Sequence, residues 1–262
     1  MQSWNPTLAQ KNAQGWGTRR SLRRAGLESP RLELQCMSLS ISDNERERWN
    51  QKYREASGAS ASMAPDPFLV RAFSEYIRPL FPQGGSALDL AGGAGRHAIW
   101  LAKQGWDVTL VDISEAGVEQ ARRNAGPLAS HIHFVVDDLT QFKAAQTQFD
   151  AGFEVVMAFF YLERRIFSEM LKAVRPGGLL LYKTYTQAQA KLAGGPKNPA
   201  HLLEPGELLR LANAYGGVTG VSSVQPGGDA RRSTSGNGLR VLHYSEETAE
   251  KATAELVARK DR

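Results

Sequence analysis

From Asn44 onward the chain alternates between two hydrophobic periods. "NERERWNQKYRE" is rich in helix formers and sets Trp49 and Tyr53 four residues apart on one face. After a flexible break at 57–65, "PDPFLVRAFSEYI" opens with prolines suited to a first helical turn. Its pairs Phe68/Leu69, Ala72/Phe73 and Tyr76/Ile77 recur at helical spacing, and "PQGG" ends the helix. Short apolar runs and amphipathic segments then take turns. The pattern predicts strands at 86–91, 106–112, 132–138, 153–162 and 179–185. Helices are predicted at 96–105, 114–126 (Ser114 as its cap) and 163–174, with "RPGG" as a turn before the fifth strand. Strands separated by helices mean βαβ units, so the fold class is α/β, a doubly wound and mostly parallel sheet covered on both faces. A further helix is expected at 205–217 and a closing antiparallel strand pair at 239–245 and 252–260. Between them, 218–238 is Gly/Ser/Arg-rich and reads as an exposed loop insertion.

Composition changes this picture little, but charge divides the chain. At 262 residues and 42% hydrophobic, the protein can bury a core without staples, and its one cysteine, Cys36, excludes an internal disulfide framework and a cysteine-based zinc site. No apolar run approaches the roughly 18–20 residues that span a bilayer. The net charge of +5 sits mostly in residues 1–40, which hold six basic and two acidic residues. Residues 41–262 carry 26 basic and 25 acidic residues, a balance unlike that of a nucleic-acid-binding domain. The expected organisation is a disordered basic extension over 1–40 and one domain over 41–262. The extension reads either as an organelle-targeting presequence or as a non-functional stretch upstream of a start at Met37, with a cytoplasmic location expected in the second case.

The chemistry-bearing residues cluster at "ALDLAGGAGRH". A strand ends at Asp89, and Gly92, Gly93 and Gly95 let the backbone approach a ligand over the start of a helix. Seventeen residues beyond Gly95 the next strand ends in Asp112, placed to accept from two ribose hydroxyls. The run Gly93–Ala98 also satisfies the dinucleotide pattern, so an NAD-dependent oxidoreductase stays open at this point. Three features favour S-adenosylmethionine instead. Asp89 suits a cationic amino group and would repel a pyrophosphate; helical segments precede the sheet and can cover a ligand; no second glycine-loop half follows.

In these motifs the sequence resembles the class I S-adenosylmethionine-dependent methyltransferases, and within them the small bacterial tellurite-resistance-type branch. The resemblance rests on "ERWNQKY", "ALDLAGGAGRHAIWLAKQGWDVTLVDIS", "FVVDDL", "FEVVMAFFYLERRIFSEMLKAVRPGGLLLYKTYT" and "GGPKNPAHLLEPGELL". It implies a Rossmann-like sheet of seven strands with an antiparallel C-terminal pair. It also implies that Asp89, Gly93 and Gly95 cradle the methionine moiety, Arg96 serves the cofactor carboxylate, Asp112 holds the ribose and Asp138 reaches the adenine amino group. Ala91 stands where the family usually has Gly, a change expected to be harmless if its φ stays negative.

Methyl transfer from a sulfonium needs positioning more than a general base, so no catalytic residue is assigned. The acceptor is expected beyond the carboxyl ends of the strands, with Tyr161, Arg164, Lys183 and Tyr185 as pocket candidates and Phe159 and Phe160 beside them. Trp49 and Tyr53 are expected either to form a lid or to pack as a plain helix pair. The acceptor is read as a small molecule, a thiol or a chalcogen oxyanion, with no nucleic-acid, membrane or obligate protein partner. His97, His131, His133, His201 and His243 fall on separate elements, so no metal site is expected. A catalytically silent fold that only binds ligand is the alternative from outside enzymology.

Overall fold

The computed structural model describes residues 30–56, 62–144, 152–216 and 238–262, with side chains from Ser42 onward. The loop expected at 218–238 lies outside them except for Gly238, as does most of the basic extension. The chain divides into two units, 1–43 and 44–262, and the sheet belongs to the second. The boundary expected at residue 40 falls inside a helix, α1 (Pro30–Ala56), whose first turns are built from the helix formers Leu, Glu, Gln and Met.

The helix α2 (Pro67–Ala72) starts as the prolines predict, with the Asp66 side chain accepting from the Phe68 N–H. It runs on through a π-turn at Phe73–Ile77 into α3 (Arg78–Leu80). Next come β1 (Ser86–Leu90), α4 (Arg96–Lys103), β2 (Asp107–Asp112), α5 (Glu115–Ala125), β3 (Ile132–Val136) and β4 (Phe153–Phe159). The chain closes with α6 (Phe167–Ala173), β5 (Val174–Tyr185), α7 (Glu207–Gly216), β6 (Leu239–Thr248) and β7 (Ala252–Lys260). Ser114 caps α5 as expected, its hydroxyl accepting from the Gly117 N–H at 3.0 Å.

The seven strands run in the order β3-β2-β1-β4-β5-β7-β6, and β7 is antiparallel to both its neighbours. Period-two alternation sends Leu179 and Leu181 into the core under α2 and α4, while Leu180 and Tyr182 enter the core under α6 and α7. Strand order reverses between β1 and β4, and ligands of such sheets bind at that crevice.

Two expectations are corrected. The "RPGG" segment is part of β5 rather than a turn. A Cβ on Gly178 would lie 2.9 Å from the Phe153 carbonyl, so glycine lets the strand start early through a register shift against β4. β4 stops at Phe159 rather than 162, because Phe160 turns to φ 58°.

Candidate active site

β1 delivers Asp89 to the switch point with 1% exposure, and neither of its carboxylate oxygens has a hydrogen-bond partner. Burial pushes its carboxyl up to about 7, opposed chiefly by the nearby Arg96 guanidinium. A buried acid without donors is costly, so this position fits a ligand that brings a cationic or N–H-rich group.

Beyond it the backbone turns at Ala91 (φ 57°), Gly93 (φ 54°) and Gly95 (φ 84°). Ala91 therefore does not keep the negative φ expected of it. The alanine holds a left-handed conformation that glycine would adopt freely, at a cost of about 1 kcal/mol. Asp112 ties the loop down. Its Oδ2 accepts from the Gly93 N–H at 2.8 Å and its Oδ1 from the Ser114 N–H at 2.9 Å. Each oxygen retains a lone pair for a ligand hydroxyl. Burial raises its pKa against these N–H bonds.

Helix α1 covers the loop. A Cβ on Gly93 would lie 2.0 Å from the Tyr53 hydroxyl, and one on Gly117 would lie 2.8 Å from its ring. Glycine at both places lets Tyr53 rest over the loop, with the Trp49 ring 6.2 Å from it. Asn50 holds this arrangement and was missed by sequence reasoning. Its Oδ1 accepts from the Ser114 hydroxyl (2.7 Å) and the Ala116 N–H (3.0 Å), and its Nδ2 donates to Glu115 (2.7 Å). Nothing in the sequence singled it out, since Asn44 and Gln51 are amides of the same segment. At the neighbouring strand end, the Asp137 N–H donates to the Asp112 carbonyl, which brings Asp138 alongside. The Asp138 carboxylate accepts from the Thr140 N–H and hydroxyl, both at 2.9 Å.

On the other side of the crevice Phe160, just past β4, and Tyr185, the last residue of β5, have ring centroids 5.0 Å apart. Arg96, Lys183 and Lys251 lie 5.6, 5.8 and 5.2 Å from the Phe160 ring. Lys183 is neither solvent-facing nor open to a ligand. Its ammonium, 12% exposed, sits between Asp66 (2.8 Å) and Glu255 (2.9 Å), and Glu255 also pairs with Arg71. Arg164 is engaged as well, paired with Glu207 and donating to the carbonyls of Ala200 and Leu202 at 3.1 Å. It staples the 199–207 segment. Tyr161 lies on the Asp112 and Asp138 side, where burial, with Glu163 and these acids, pushes its hydroxyl up. His97 is buried against Phe159 (4.2 Å) with Nε2 unpartnered. Burial, then Arg96 and Lys183, hold it down to about 3, so it is a neutral imidazole. Among the described residues, no group of three or more His, Cys, Asp or Glu side chains is arranged to hold a metal ion.

The seven-stranded sheet in this order, with a glycine loop at the switch point and an acid ending the second strand, is a fold shared with solved methyltransferases. Residues 87–178 match the family model described as "Methyltransferase domain". The chain is similar to the YqeM protein of Bacillus subtilis (strain 168), named as a methyltransferase. The two are 28% identical over 119 residues, 44% of this chain and 48% of that protein. Its fold is shared with the magnesium protoporphyrin IX methyltransferase of Synechocystis PCC 6803, solved with SAH bound (TM-score 0.58, 13% identity, 84% of this chain and 99% of that one). TehB from Haemophilus influenzae shares it too (TM-score 0.53, 17% identity, 81% of this chain and 67% of that one). The chain spans about half the length, or less, of the curated relatives it matches, some of which are named as ribosomal RNA methyltransferases.

Proposed function

We propose that this protein transfers a methyl group from S-adenosylmethionine to a small-molecule acceptor of the thiol or chalcogen-oxyanion kind. The observation that carries the reading is Asp89, a fully buried carboxyl with both oxygens unpartnered at the base of the glycine loop. It fits the ammonium of the cofactor's methionine moiety and repels the pyrophosphate of NAD. The free lone pairs of Asp112 fit the ribose hydroxyls, Asp138 the adenine amino group, and Gly93 and Gly95 the close approach of the methionine backbone. The bound cofactor supplies a methyl carbon activated by its sulfonium. The protein supplies the rest: a loop fixed by Asp112, a lid residue in Tyr53 and a crevice walled by Phe160 and Tyr185 that keeps water from the methyl group.

The near-neutral charge of residues 41–262 supports a small molecule over RNA as acceptor. No helix among the described residues is long and apolar enough to cross a membrane. The test is incubation of the full chain with methyl-labelled S-adenosylmethionine and a panel of thiols, selenite, tellurite, amines and ribosomal RNA. Label in a small thiol or oxyanion, lost in Asp112→Ala, is the expected result. Label in RNA alone would overturn the acceptor class, and binding without transfer to anything would leave a silent binding fold.

A further inference from the structure

The carboxyl edge holds charges that the cofactor site does not account for. Phe160 follows β4, Tyr185 ends β5, Arg96 opens α4 and Lys251 lies in the turn between β6 and β7, so three other segments converge on the Phe160 ring. Phe160 holds φ 58°, a conformation a bulky residue adopts only under constraint. Its N–H is held by the Lys183 carbonyl at 2.7 Å. Both rings are only partly buried.

The three cations around Phe160 are not equivalent. Lys183 is neutralised from both sides by Asp66 and Glu255. Among the described residues neither Arg96 nor Lys251 has a carboxylate within ion-pair distance. Their distances to the Phe160 centroid are near the outer limit for a cation–π contact, so that contact leaves most of their charge available. A partly buried aromatic wall with Lys251 at its rim, and Arg96 shared between it and Asp89, repels cationic acceptors and favours an anionic one.

We propose that the acceptor is a planar aromatic anion, its ring against Phe160 and Tyr185 and its negative charge toward Arg96 and Lys251. This rests on the methyltransferase reading and, within its thiol class, selects an aromatic thiolate over a chalcogen oxyanion. In the transfer, a lone pair of the acceptor forms the new bond to the methyl carbon. The carbon–sulfur bond breaks and its electron pair stays on sulfur. When the attacking atom is itself anionic, its charge and the sulfonium's disappear together and no proton has to be removed. Lys251 is the residue that separates acceptor from cofactor, since Arg96 also faces Asp89 and is expected to serve both.

The experiment uses the full chain saturated with S-adenosylhomocysteine and titrated calorimetrically at pH 7 with three probes. Salicylate is planar, aromatic and anionic, salicylamide is its neutral counterpart, and cyclohexanecarboxylate is an anion without a flat ring. Salicylate is expected to bind at least tenfold more tightly than either. Lys251→Gln, a change at an exposed turn that leaves the fold intact, is expected to weaken salicylate about fivefold with S-adenosylhomocysteine affinity unchanged. Absence of salicylate binding, equal affinity for salicylamide or cyclohexanecarboxylate, or indifference of salicylate to Lys251→Gln would overturn the proposal. Failure of the wild-type chain to bind S-adenosylhomocysteine would overturn the methyltransferase reading instead.

Discussion

If Asp89 holds the cofactor's ammonium as proposed, cofactor affinity should depend on pH in a way that few other placements of a carboxylate would give. Its carboxyl is raised from an ordinary 3.8 to about 7 because burial strips its water, and the Arg96 guanidinium and the Ala98 N–H offset this only in part. A ligand ammonium binds the ionised form. At pH 6 about nine in ten molecules must first lose a proton, which weakens binding by about 1.4 kcal/mol, or tenfold, with a further tenfold per unit below. Above roughly pH 8 the ligand's own amino group begins to deprotonate, so affinity peaks between the two values. The same shift sets stability with the opposite sign. The folded state holds the proton more tightly than the unfolded chain, so this contribution is present below about pH 4 and is lost as pH rises to 7. The loss is on the order of 4 kcal/mol. Asp89→Asn should therefore melt higher than wild type at pH 7.5 and no higher at pH 4. It should bind S-adenosylmethionine about 10–150-fold more weakly at pH 7.5, for the roughly 1.5–3 kcal/mol of a charged hydrogen bond. Titration calorimetry in buffers of different ionisation enthalpy reads both affinity and protons released. A wild-type affinity that is flat from pH 5.5 to 7.5, or an Asn variant that binds equally well, would refute the reasoning.

Asp112→Ala should weaken S-adenosylmethionine binding about 10–150-fold by calorimetry. Because the carboxylate also holds the Gly93 and Ser114 N–H groups, the variant should lose about 1–3 kcal/mol of stability to chemical denaturation as well. Lys183→Gln leaves Asp66 with the Phe68 N–H and Glu255 with Arg71, and is expected to cost about 1–3 kcal/mol in a urea melt, not to raise an acceptor KM selectively. Ala91→Gly relieves a left-handed alanine and should raise the melting free energy by about 0.5–1 kcal/mol, with cofactor affinity unchanged.

Much of this fold is legible because its signals are local. The alternation in "LLLYKTY" and the Ser114 cap each sit within a few residues of what they specify, and both are found as read. The glycine loop and Asp112 were legible for the same reason, since a strand, a turn and the next strand end recur at short spacing. What escaped depends on contacts between distant segments. Lys183 reads as an open strand-end lysine until Asp66 and Glu255, 117 and 72 residues away, close around it. Arg164 reads as a pocket residue until the 199–207 segment folds back on it. Asn50 carries no periodic signal, because its partners are backbone and hydroxyl groups at the start of another helix. The left-handed Phe160 could not be read at all, since no residue preference favours a phenylalanine there.

The measurement closest to the central claim is a calorimetric titration of the full chain with S-adenosylhomocysteine and, separately, with NAD at pH 7.5. One equivalent of S-adenosylhomocysteine should bind saturably, the affinity falling in Asp89→Asn, and NAD should give no binding heat. Saturable NAD binding, or S-adenosylhomocysteine binding that ignores Asp89, would contradict the account.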